Sequence, residues 1–404
     1  MKRRLDDLAV FGGPAAFAEP LHVGRPNIGD RAALLRRVND LLDRRWLTNN
    51  GPFVQEFEQK LAEREGVRHC IAMCNGTVAL EIAIRAAGLG GEVIVPSMTF
   101  VATAHALEWQ QITPVFCDVD PKTYTIDPRQ IEALITPRTT GIIGVHLWGR
   151  PCDVEALAQV AARHRLRLLY DAAHVFATSY KGRMIGGFGD ASVFSFHATK
   201  FFNTFEGGAV VTDDDELART IRLMKNFGFA GYDNVIHVGT NGKMSELSAA
   251  MGLTGLETLD EVVATNRENY EAYRDALTRT PGITLLDYDD RERCNYQYVV
   301  CDVESRLTGL TRDQLIDVLW AENILARRYF YPGCHRMEPY RTRFPDAGRR
   351  LAETERLVER TLTLPTGTAL DVAGVRAVAR IVTFAVEHGE AIAERLRTRP
   401  PRGQ

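Results

Sequence analysis

Between about residues 65 and 260, short apolar runs alternate with stretches in which apolar residues recur at helical spacing. In the segment 153–164, for example, Val154, Leu157 and Ala161 fall on one helical face behind Asp153, a residue type that favours the N-cap position. Such alternation predicts an α/β fold with a mostly parallel sheet covered by helices on both faces. The seven runs that predict its strands are residues 70–73, 92–95, 113–117, 141–145, 167–170, 191–196 and 208–212.

The pattern changes after about residue 259. A long charged helical stretch covers 261–279, a strand pattern follows at 296–303, and a further helical pattern covers 311–322. We therefore predict an N-terminal arm (1–30), a large domain (31–260) and a smaller α+β domain (261–404). Because ligands of parallel sheets bind beyond the carboxyl ends of the strands, residues that carry chemistry are expected directly after the predicted strands.

The composition is ordinary for a soluble globular protein, with 45% hydrophobic and 25% charged residues among 404. A formal net charge of −3 and scattered basic residues argue against nucleic acid or an anionic membrane surface as a partner. No apolar run approaches the roughly 18 residues of a membrane span, and the N-terminus does not have the pattern of a secretory signal. Seven cysteines without metal-ligand spacing predict free thiols, no metal site and a cytoplasmic location.

A turn of small residues follows the first predicted strand. Asn75, Gly76 and Thr77 open a helix there, so that backbone N–H groups and the Thr77 hydroxyl can approach a phosphate at the positive end of the helix. The same residues are typical of an ordinary helix cap, and the turn alone does not distinguish the two interpretations.

Two charged residues and one aromatic residue follow other predicted strands. Asp171 ends an apolar run, where a carboxylate either meets a partner such as a pyridinium nitrogen or caps a following helix. Lys200 lies in an apolar turn that Gly207 and Gly208 close, although most lysines lie at the surface. Burial there would lower the pKa of the amine and give the neutral nucleophile that attacks aldehydes. Phe100 either stacks on a flat ligand or belongs to the core.

The order and spacing of these features resemble the sugar-nucleotide aminotransferases of the DegT/DnrJ/StrS family, from about residue 25 to residue 369. The most specific segment is 195–200 (SFHATK) with 206–208 (EGG), which is similar to the lysine segment of that family. The resemblance implies a fold type I transferase that binds pyridoxal 5′-phosphate (PLP) and forms a homodimer with active sites at the interface.

The resemblance also implies roles for single residues. Lys200 would carry PLP as a Schiff base and move protons, and Asp171 would hold the pyridine nitrogen. Lys243 stands where relatives commonly have arginine, so its role is open. The other implied cofactor contacts are Gly76, Thr77 and Ser195 at the phosphate, Phe100 and His174 at the ring, and Asn241, which would reach the phosphate in the neighbouring subunit.

Three further segments look closest to TDP-4-keto-6-deoxyglucose 4-aminotransferases of secondary-metabolite (antibiotic) deoxysugar biosynthesis: 46–52 (WLTNNGP), 145–151 (VHLWGRP) and 329–335 (YFYPGCH). They imply transfer of an amino group from L-glutamate to carbon 4 of TDP-4-keto-6-deoxy-D-glucose, which gives TDP-4-amino-4,6-dideoxy-D-glucose. The candidate contacts for this substrate are Lys225, Tyr329, Tyr331 and His335.

Other functions remain open at this point. A PLP-dependent sugar dehydratase is disfavoured because such relatives replace the lysine with histidine, whereas a 3-keto sugar or a keto-inositol as the amino acceptor is not excluded. A binding protein without catalysis is disfavoured by the presence of both Lys200 and Asp171. A nicotinamide oxidoreductase is disfavoured because the turn after the first strand has one glycine, Gly76, where a dinucleotide fold needs three.

Overall fold

The structure, a computed structural model, describes residues 2–398. Short strands alternate with helices through its first two thirds. The strands are β1 (Leu21–His22), β2 (His69–Met73), β3 (Glu92–Pro96), β4 (Thr113–Cys117), β5 (Thr139–Val145), β6 (Arg167–Asp171), β7 (Ser179–Tyr180), β8 (Arg183–Met184), β9 (Ala191–Ser195), β10 (Gly208–Thr212), β11 (Phe229–Gly231), β12 (Asn234–Val235), β13 (Ile283–Leu285), β14 (Val299–Val303), β15 (Ile324–Leu325) and β16 (Thr361–Leu364).

The helices between these strands begin at residues that favour helix starts. Asp153 caps one of them by accepting a hydrogen bond from Ala156 N at 3.0 Å, and Asn75 caps another by accepting from Val78 N at 2.8 Å. The α-helices are α1 (Arg31–Arg44), α2 (Pro52–Glu65), α3 (Gly76–Ala86), α4 (Ala102–Glu108), α5 (Pro128–Ile131), α6 (Val154–His164), α7 (Asp215–Met224), α8 (Glu246–Glu257), α9 (Leu259–Leu277), α10 (Ser305–Thr308), α11 (Arg312–Ala321), α12 (Tyr340–Arg343), α13 (Ala352–Arg360), α14 (Val372–Glu387) and α15 (Gly389–Arg397). Short 3₁₀ helices cover Leu5–Asp7, Ala9–Phe11, Glu132–Leu134, Ile185–Gly187, Cys334–Arg336 and Ala347–Arg350.

A seven-stranded sheet with the order β2-β10-β9-β6-β5-β3-β4 forms the centre of the molecule. Only β10 runs antiparallel to its neighbours, β2 and β9, and the other pairs are parallel. Each of the seven predicted runs overlaps one of these strands. The predicted α/β class and the mostly parallel seven-stranded sheet are therefore confirmed.

Both faces of this sheet are buried, which explains why its strands are continuous apolar runs. Ile142 and Leu168 enter the apolar cluster on one face, whereas the next residues, Ile143 and Leu169, enter the cluster on the other. The register also aligns strand ends, since Val145 pairs with Asp171 and Asp171 pairs with Val193. Side chains after these residues consequently meet at one edge of the sheet.

The C-terminal part contains an antiparallel sheet of β13, β14 and β16, which packs with α9, α11 and α14 in a separate apolar cluster. Leu8 and Val10, near the N-terminus, are buried in the same cluster, and β1 pairs in parallel with β15. The division at residues 30 and 260 stays a prediction. Within residues 2–398, no helix has both the length and the apolar character that a bilayer crossing requires.

Candidate active site

A cavity of about 600 Å³ opens where the parallel strands of the central sheet end. Three connections place polar side chains there: the β2–α3 turn, the end of β6 and the segment after β9. Residues from the C-terminal part close the other side. The sequence-predicted residues that line it are Gly76, Thr77, Phe100, Asp171, His174, Ser195, Lys200 and Tyr329.

The turn that opens α3 is closely packed against the strands beside it. A Cβ atom on Gly76 would lie 2.9 Å from Ser195 Cβ, and one on Gly208 would lie 2.7 Å from the backbone of Asn75. Glycine at both positions therefore lets the start of α3 lie against β9 and β10. This packing leaves the amide end of the helix, the Thr77 side chain and Ser195 on the cavity wall, an arrangement that suits a phosphate.

Lys200 projects from the segment after β9, where its backbone N–H donates to His197 O at 2.8 Å. Its Nζ lies 3.4 Å from the hydroxyl of Tyr298, a residue that the sequence analysis did not single out. Burial lowers the pKa of Lys200 to about 8, although the charge of Asp171 acts in the opposite direction. The amine is consequently a better nucleophile and proton acceptor near neutral pH than a surface lysine.

Asp171 ends β6 and is held by two donors. Thr103 Oγ1 donates to Asp171 Oδ2 at 2.7 Å, and Ala173 N donates to Asp171 Oδ1 at 3.2 Å. Burial raises the pKa of Asp171, while these two donors and the charge of Lys200 lower it. No helix begins directly after Asp171, so it is not a helix cap.

Aromatic rings form the wall next to these two groups. His174 lies 4.7 Å from the Tyr298 ring and 5.8 Å from the Phe330 ring, between centroids. Burial holds the pKa of His174 well below its usual range, so the ring is neutral. Because Nδ1 accepts a hydrogen bond from Trp148 N at 3.3 Å, the ring hydrogen is assigned to Nε2. Phe100 remains 56% exposed at the opening, where a flat ligand can cover it.

Two predicted substrate contacts lie outside this cavity. Lys225 is buried at the end of α7, and its Nζ donates to Glu58 Oε1 at 2.9 Å and to Ala72 O at 3.3 Å. His335 is also buried, with Nδ1 2.7 Å from Ser97 Oγ and Nε2 2.7 Å from Glu355 Oε1. The polar side-chain atoms of both residues form hydrogen bonds within the protein, and neither residue lines the cavity.

Two other predicted contacts lie at the surface of the described chain, outside the cavity. The Tyr331 ring has the guanidinium groups of Arg312 and Arg328 at 5.2 and 5.0 Å from its centroid. Asn241 is exposed, and its Oδ1 accepts from Lys243 Nζ at 2.7 Å. A contact between Asn241 and a cofactor phosphate in another subunit stays a prediction.

Tyr298 and Thr103 contact Lys200 and Asp171 but are not among the residues predicted from the sequence. Tyr298 precedes β14 and is 98 residues from Lys200 in the chain, so no local pattern connects the two. Thr103 gave a weak signal, because Thr99 and Thr103 are four residues apart at a strand-to-helix connection. In a helix that spacing would bring the two hydroxyls together, but in the structure Thr99 lies before α4, in the turn after β3.

Comparison with known proteins agrees with this geometry. The model of the DegT/DnrJ/EryC1/StrS aminotransferase family matches residues 29–383, which is most of the chain. The chain belongs to this family. The predicted family and the predicted enzyme class, an aminotransferase acting on sugar nucleotides, are confirmed.

Members of the DegT/DnrJ/EryC1/StrS family with assigned names include two that are named dTDP-4-amino-4,6-dideoxy-D-glucose transaminase. The one from Shigella dysenteriae is 42% identical over 314 residues, 78% of this chain and 85% of its own. The one from Escherichia coli is 36% identical over 352 residues, 86% of this chain and 94% of its own. Among solved structures, DesI in the presence of its TDP-sugar product is 50% identical with a TM-score of 0.92, and the match covers 98% of this chain and all of DesI.

The cavity of this family member has the features that a flat phosphorylated aldehyde such as PLP requires. The amide end of α3 with Thr77 and Ser195 suits the phosphate, and Lys200 supplies an amine for the aldehyde. Asp171 supplies a carboxylate for a ring nitrogen, and His174 and Phe100 border the space between the two ends. The residues present therefore fit the cofactor.

Proposed function

We propose that this protein binds PLP through Lys200 and transfers an amino group to carbon 4 of TDP-4-keto-6-deoxy-D-glucose, giving TDP-4-amino-4,6-dideoxy-D-glucose. The observation that carries the proposal is the presence of Lys200, Asp171 and the glycine-lined turn at Gly76 in one cavity. The names of two relatives that are 42% and 36% identical support the choice of sugar and carbon.

Lys200 has two tasks in this proposal. Its amine would hold the cofactor through the aldehyde carbon, with loss of water. Once an amino donor had displaced it, the free amine would accept the proton that the substrate carbon loses and would supply the proton that the cofactor carbon gains. Because burial lowers the pKa of Lys200 to about 8, more of its amine is neutral near pH 7 than in a surface lysine and can accept the proton. The hydroxyl of Tyr298, 3.4 Å from Nζ, is placed to accept a hydrogen bond from this amine.

Asp171 supplies the carboxylate that we assign to the pyridine nitrogen. When bound, PLP supplies an electron sink for the carbon that loses its proton, and a protonated pyridine nitrogen makes that sink effective. A carboxylate beside the nitrogen favours the protonated form. Thr103 and Ala173 donate to Asp171, and these hydrogen bonds favour the charged carboxylate against the effect of its burial.

Arg327 and Tyr329 are the groups of this chain that we assign to the sugar nucleotide. Both line the cavity, and the guanidinium of Arg327 lies 5.3 Å from the centroid of the Tyr329 ring. In the part of the chain that the structure describes, no carboxylate oxygen lies within 4.0 Å of Arg327. Its charge is therefore available for a diphosphate, which arginine binds well.

We further propose that L-glutamate is the amino donor, that the protein works as a cytoplasmic homodimer and that Asn241 reaches the cofactor phosphate of the second subunit. The exposed apolar side chains near β11 and β12 support a contact between two copies, since monomers rarely expose so many together. They are Phe227, Phe229, Tyr232, Val235, Ile236 and Val238.

The experiment that tests this function uses the PLP-loaded protein with L-glutamate and TDP-4-keto-6-deoxy-D-glucose. We expect a sugar amine at carbon 4, identified by mass spectrometry and NMR, and ping-pong kinetics. Lys200→Ala should remove the product, whereas Lys60→Ala, which changes an exposed lysine paired with Glu56 at 2.8 Å, should not.

Two outcomes would contradict parts of the proposal. An amine at carbon 3, or product only from a 3-keto sugar or a keto-inositol, would overturn the substrate but not the chemistry. Product formation by Lys200→Ala at the wild-type rate would overturn the chemistry itself.

A further inference from the structure

Two buried threonines extend the contacts of Asp171 away from the cavity. Thr103, at the start of α4, is completely buried, and its Oγ1 donates to Asp171 Oδ2 at 2.7 Å. Thr99, in the turn after β3, is 1% exposed, and its Oγ1 lies 2.9 Å from Thr103 Oγ1. The three groups form a chain from Thr99 through Thr103 to the carboxylate.

The number of hydrogens sets the direction of this chain. A threonine hydroxyl has one hydrogen to donate. If Thr103 donates to the Asp171 carboxylate, the hydrogen between the two threonines must come from Thr99. A proton on Asp171 Oδ2 would instead be donated to Thr103 Oγ1, so that the Thr103 hydroxyl could no longer donate to that oxygen. The chain therefore stabilises the charged form of Asp171, since hydrogen bonds to charged groups are stronger than those between neutral groups.

The turn that carries Thr99 is held at several points. Thr99 N donates to Ser97 O at 3.1 Å, and the Cys334 thiol donates to Thr99 O at 3.4 Å. His335, which the sequence predicted as a substrate contact, bonds to Ser97 Oγ and donates its backbone N–H to the same atom at 3.1 Å. The segment 334–335 thus fixes the position from which Thr99 donates.

We propose that Thr103, with its hydroxyl oriented by Thr99, is a positioning residue that keeps Asp171 ionised and in place as the partner of the pyridine nitrogen of PLP. The proposal rests on the proposed function, because it requires that PLP binds at Lys200. Thr103 itself acts through Asp171. Of the two donors to this carboxylate, Thr103 makes the shorter bond, 2.7 Å against 3.2 Å for Ala173 N.

The test is a spectrophotometric pH titration of the PLP-loaded protein for wild type, Thr103→Val, Thr103→Ser and Thr99→Val. Without the Thr103 hydroxyl, Asp171 should favour the charged pyridinium less. The nitrogen that joins Lys200 to PLP should then have a higher pKa, because less positive charge remains on the pyridine ring. We expect the midpoint of the absorbance change to rise by about one pH unit in Thr103→Val.

The other variants make the test specific. Thr103→Ser keeps the hydroxyl and should return the midpoint to the wild-type value, and Thr99→Val should shift it in the same direction by a smaller amount. Thr366→Val is a matched control, because Thr366 Oγ1 is buried without a hydrogen-bond partner among the described residues. The PLP dissociation constant should rise several-fold in Thr103→Val only.

The other titratable or charged groups that face this cavity are Lys200, His146, His174, His197, Glu206, Tyr298, Tyr329 and Arg327.

The failure of this inference can be distinguished from the failure of the proposed function. A wild-type protein that gives no PLP absorbance band would overturn the proposed function. A normal wild-type band with the same midpoint in Thr103→Val would overturn the inference alone. If Thr103→Val does not fold, Thr103→Ala and Thr99→Val decide in its place, and unchanged midpoints in both would overturn the inference.

Discussion

Lys200 and Lys225 are both largely enclosed by the protein, but their surroundings differ in one respect. Lys225 Nζ is 2.9 Å from the carboxylate of Glu58 and also donates to Ala72 O, so its charge is paired. Lys200 Nζ has the Tyr298 hydroxyl at 3.4 Å as its nearest hydrogen-bond partner and faces a cavity. Removal of one member of a buried ion pair leaves the other charge uncompensated and destabilises the fold. A lysine that is not paired with a carboxylate remains free to react.

The two lysines differ because Lys225 directly contacts the carboxylate of Glu58, whereas Lys200 does not directly contact that of Asp171. Asp171 is close enough for its charge to act on Lys200, yet no direct ion pair joins the two among the described residues. The Asp171 carboxylate accepts hydrogen bonds from Thr103 and Ala173, and not from Lys200. The space between the amine and the acid is the place where we put the cofactor.

The largest expected effect is the loss of activity when Lys200, and not Lys225, is replaced. Lys200→Ala should lower the turnover number by at least about a thousandfold, because the variant loses both the covalent attachment and the proton carrier. Steady-state kinetics with saturating PLP measures it. A loss of less than tenfold would remove Lys200 from its assigned role.

A second prediction concerns pH. Only the neutral amine attacks an aldehyde, so the rate at which the PLP-free protein captures PLP should rise about tenfold per pH unit below pH 8 and level off above it. This follows from the pKa of about 8 for Lys200. Stopped-flow absorbance measures the rate. A rate that continues to rise beyond pH 10 would show that Lys200 has the pKa of a surface lysine.

The third prediction concerns the sugar-nucleotide end of the cavity. Arg327→Met keeps most of the side-chain volume and removes the charge that we assign to the diphosphate. The KM for the sugar nucleotide should rise about tenfold or more, the loss expected for one charge-assisted hydrogen bond, while the KM for L-glutamate should stay within a factor of two. If the KM values for the sugar nucleotide and for L-glutamate rise by the same factor, Arg327 does not bind the diphosphate specifically.

The smallest effect on catalysis is expected at the paired lysine. Lys225→Met should lower the free energy of unfolding by about 1–2 kcal/mol, because Glu58 loses one partner but keeps Arg222, whose Nη1 donates to Glu58 Oε2 at 2.9 Å. Chemical denaturation measures it. A stable variant with a strongly raised KM for the sugar nucleotide would instead support the sequence-based prediction that Lys225 contacts the substrate.

The sequence predicted the sheet well because its strands are buried on both faces and therefore appear as continuous apolar runs. It also placed Asp171 and Lys200 after strands whose ends the register aligns. It could not predict that Lys225 is paired with a carboxylate, since Glu58 is 167 residues from Lys225 in the chain. It treated His335 as a substrate contact for the same reason, because Ser97 lies 238 residues away.

The central claim is that Lys200, and not another lysine, bonds to PLP. The most direct test is to load the purified protein with PLP, reduce it with borohydride, digest it and locate the modified lysine by mass spectrometry. We predict one modified peptide, which carries the cofactor on Lys200. Modification of Lys225 or Lys243 with Lys200 unmodified would contradict the account.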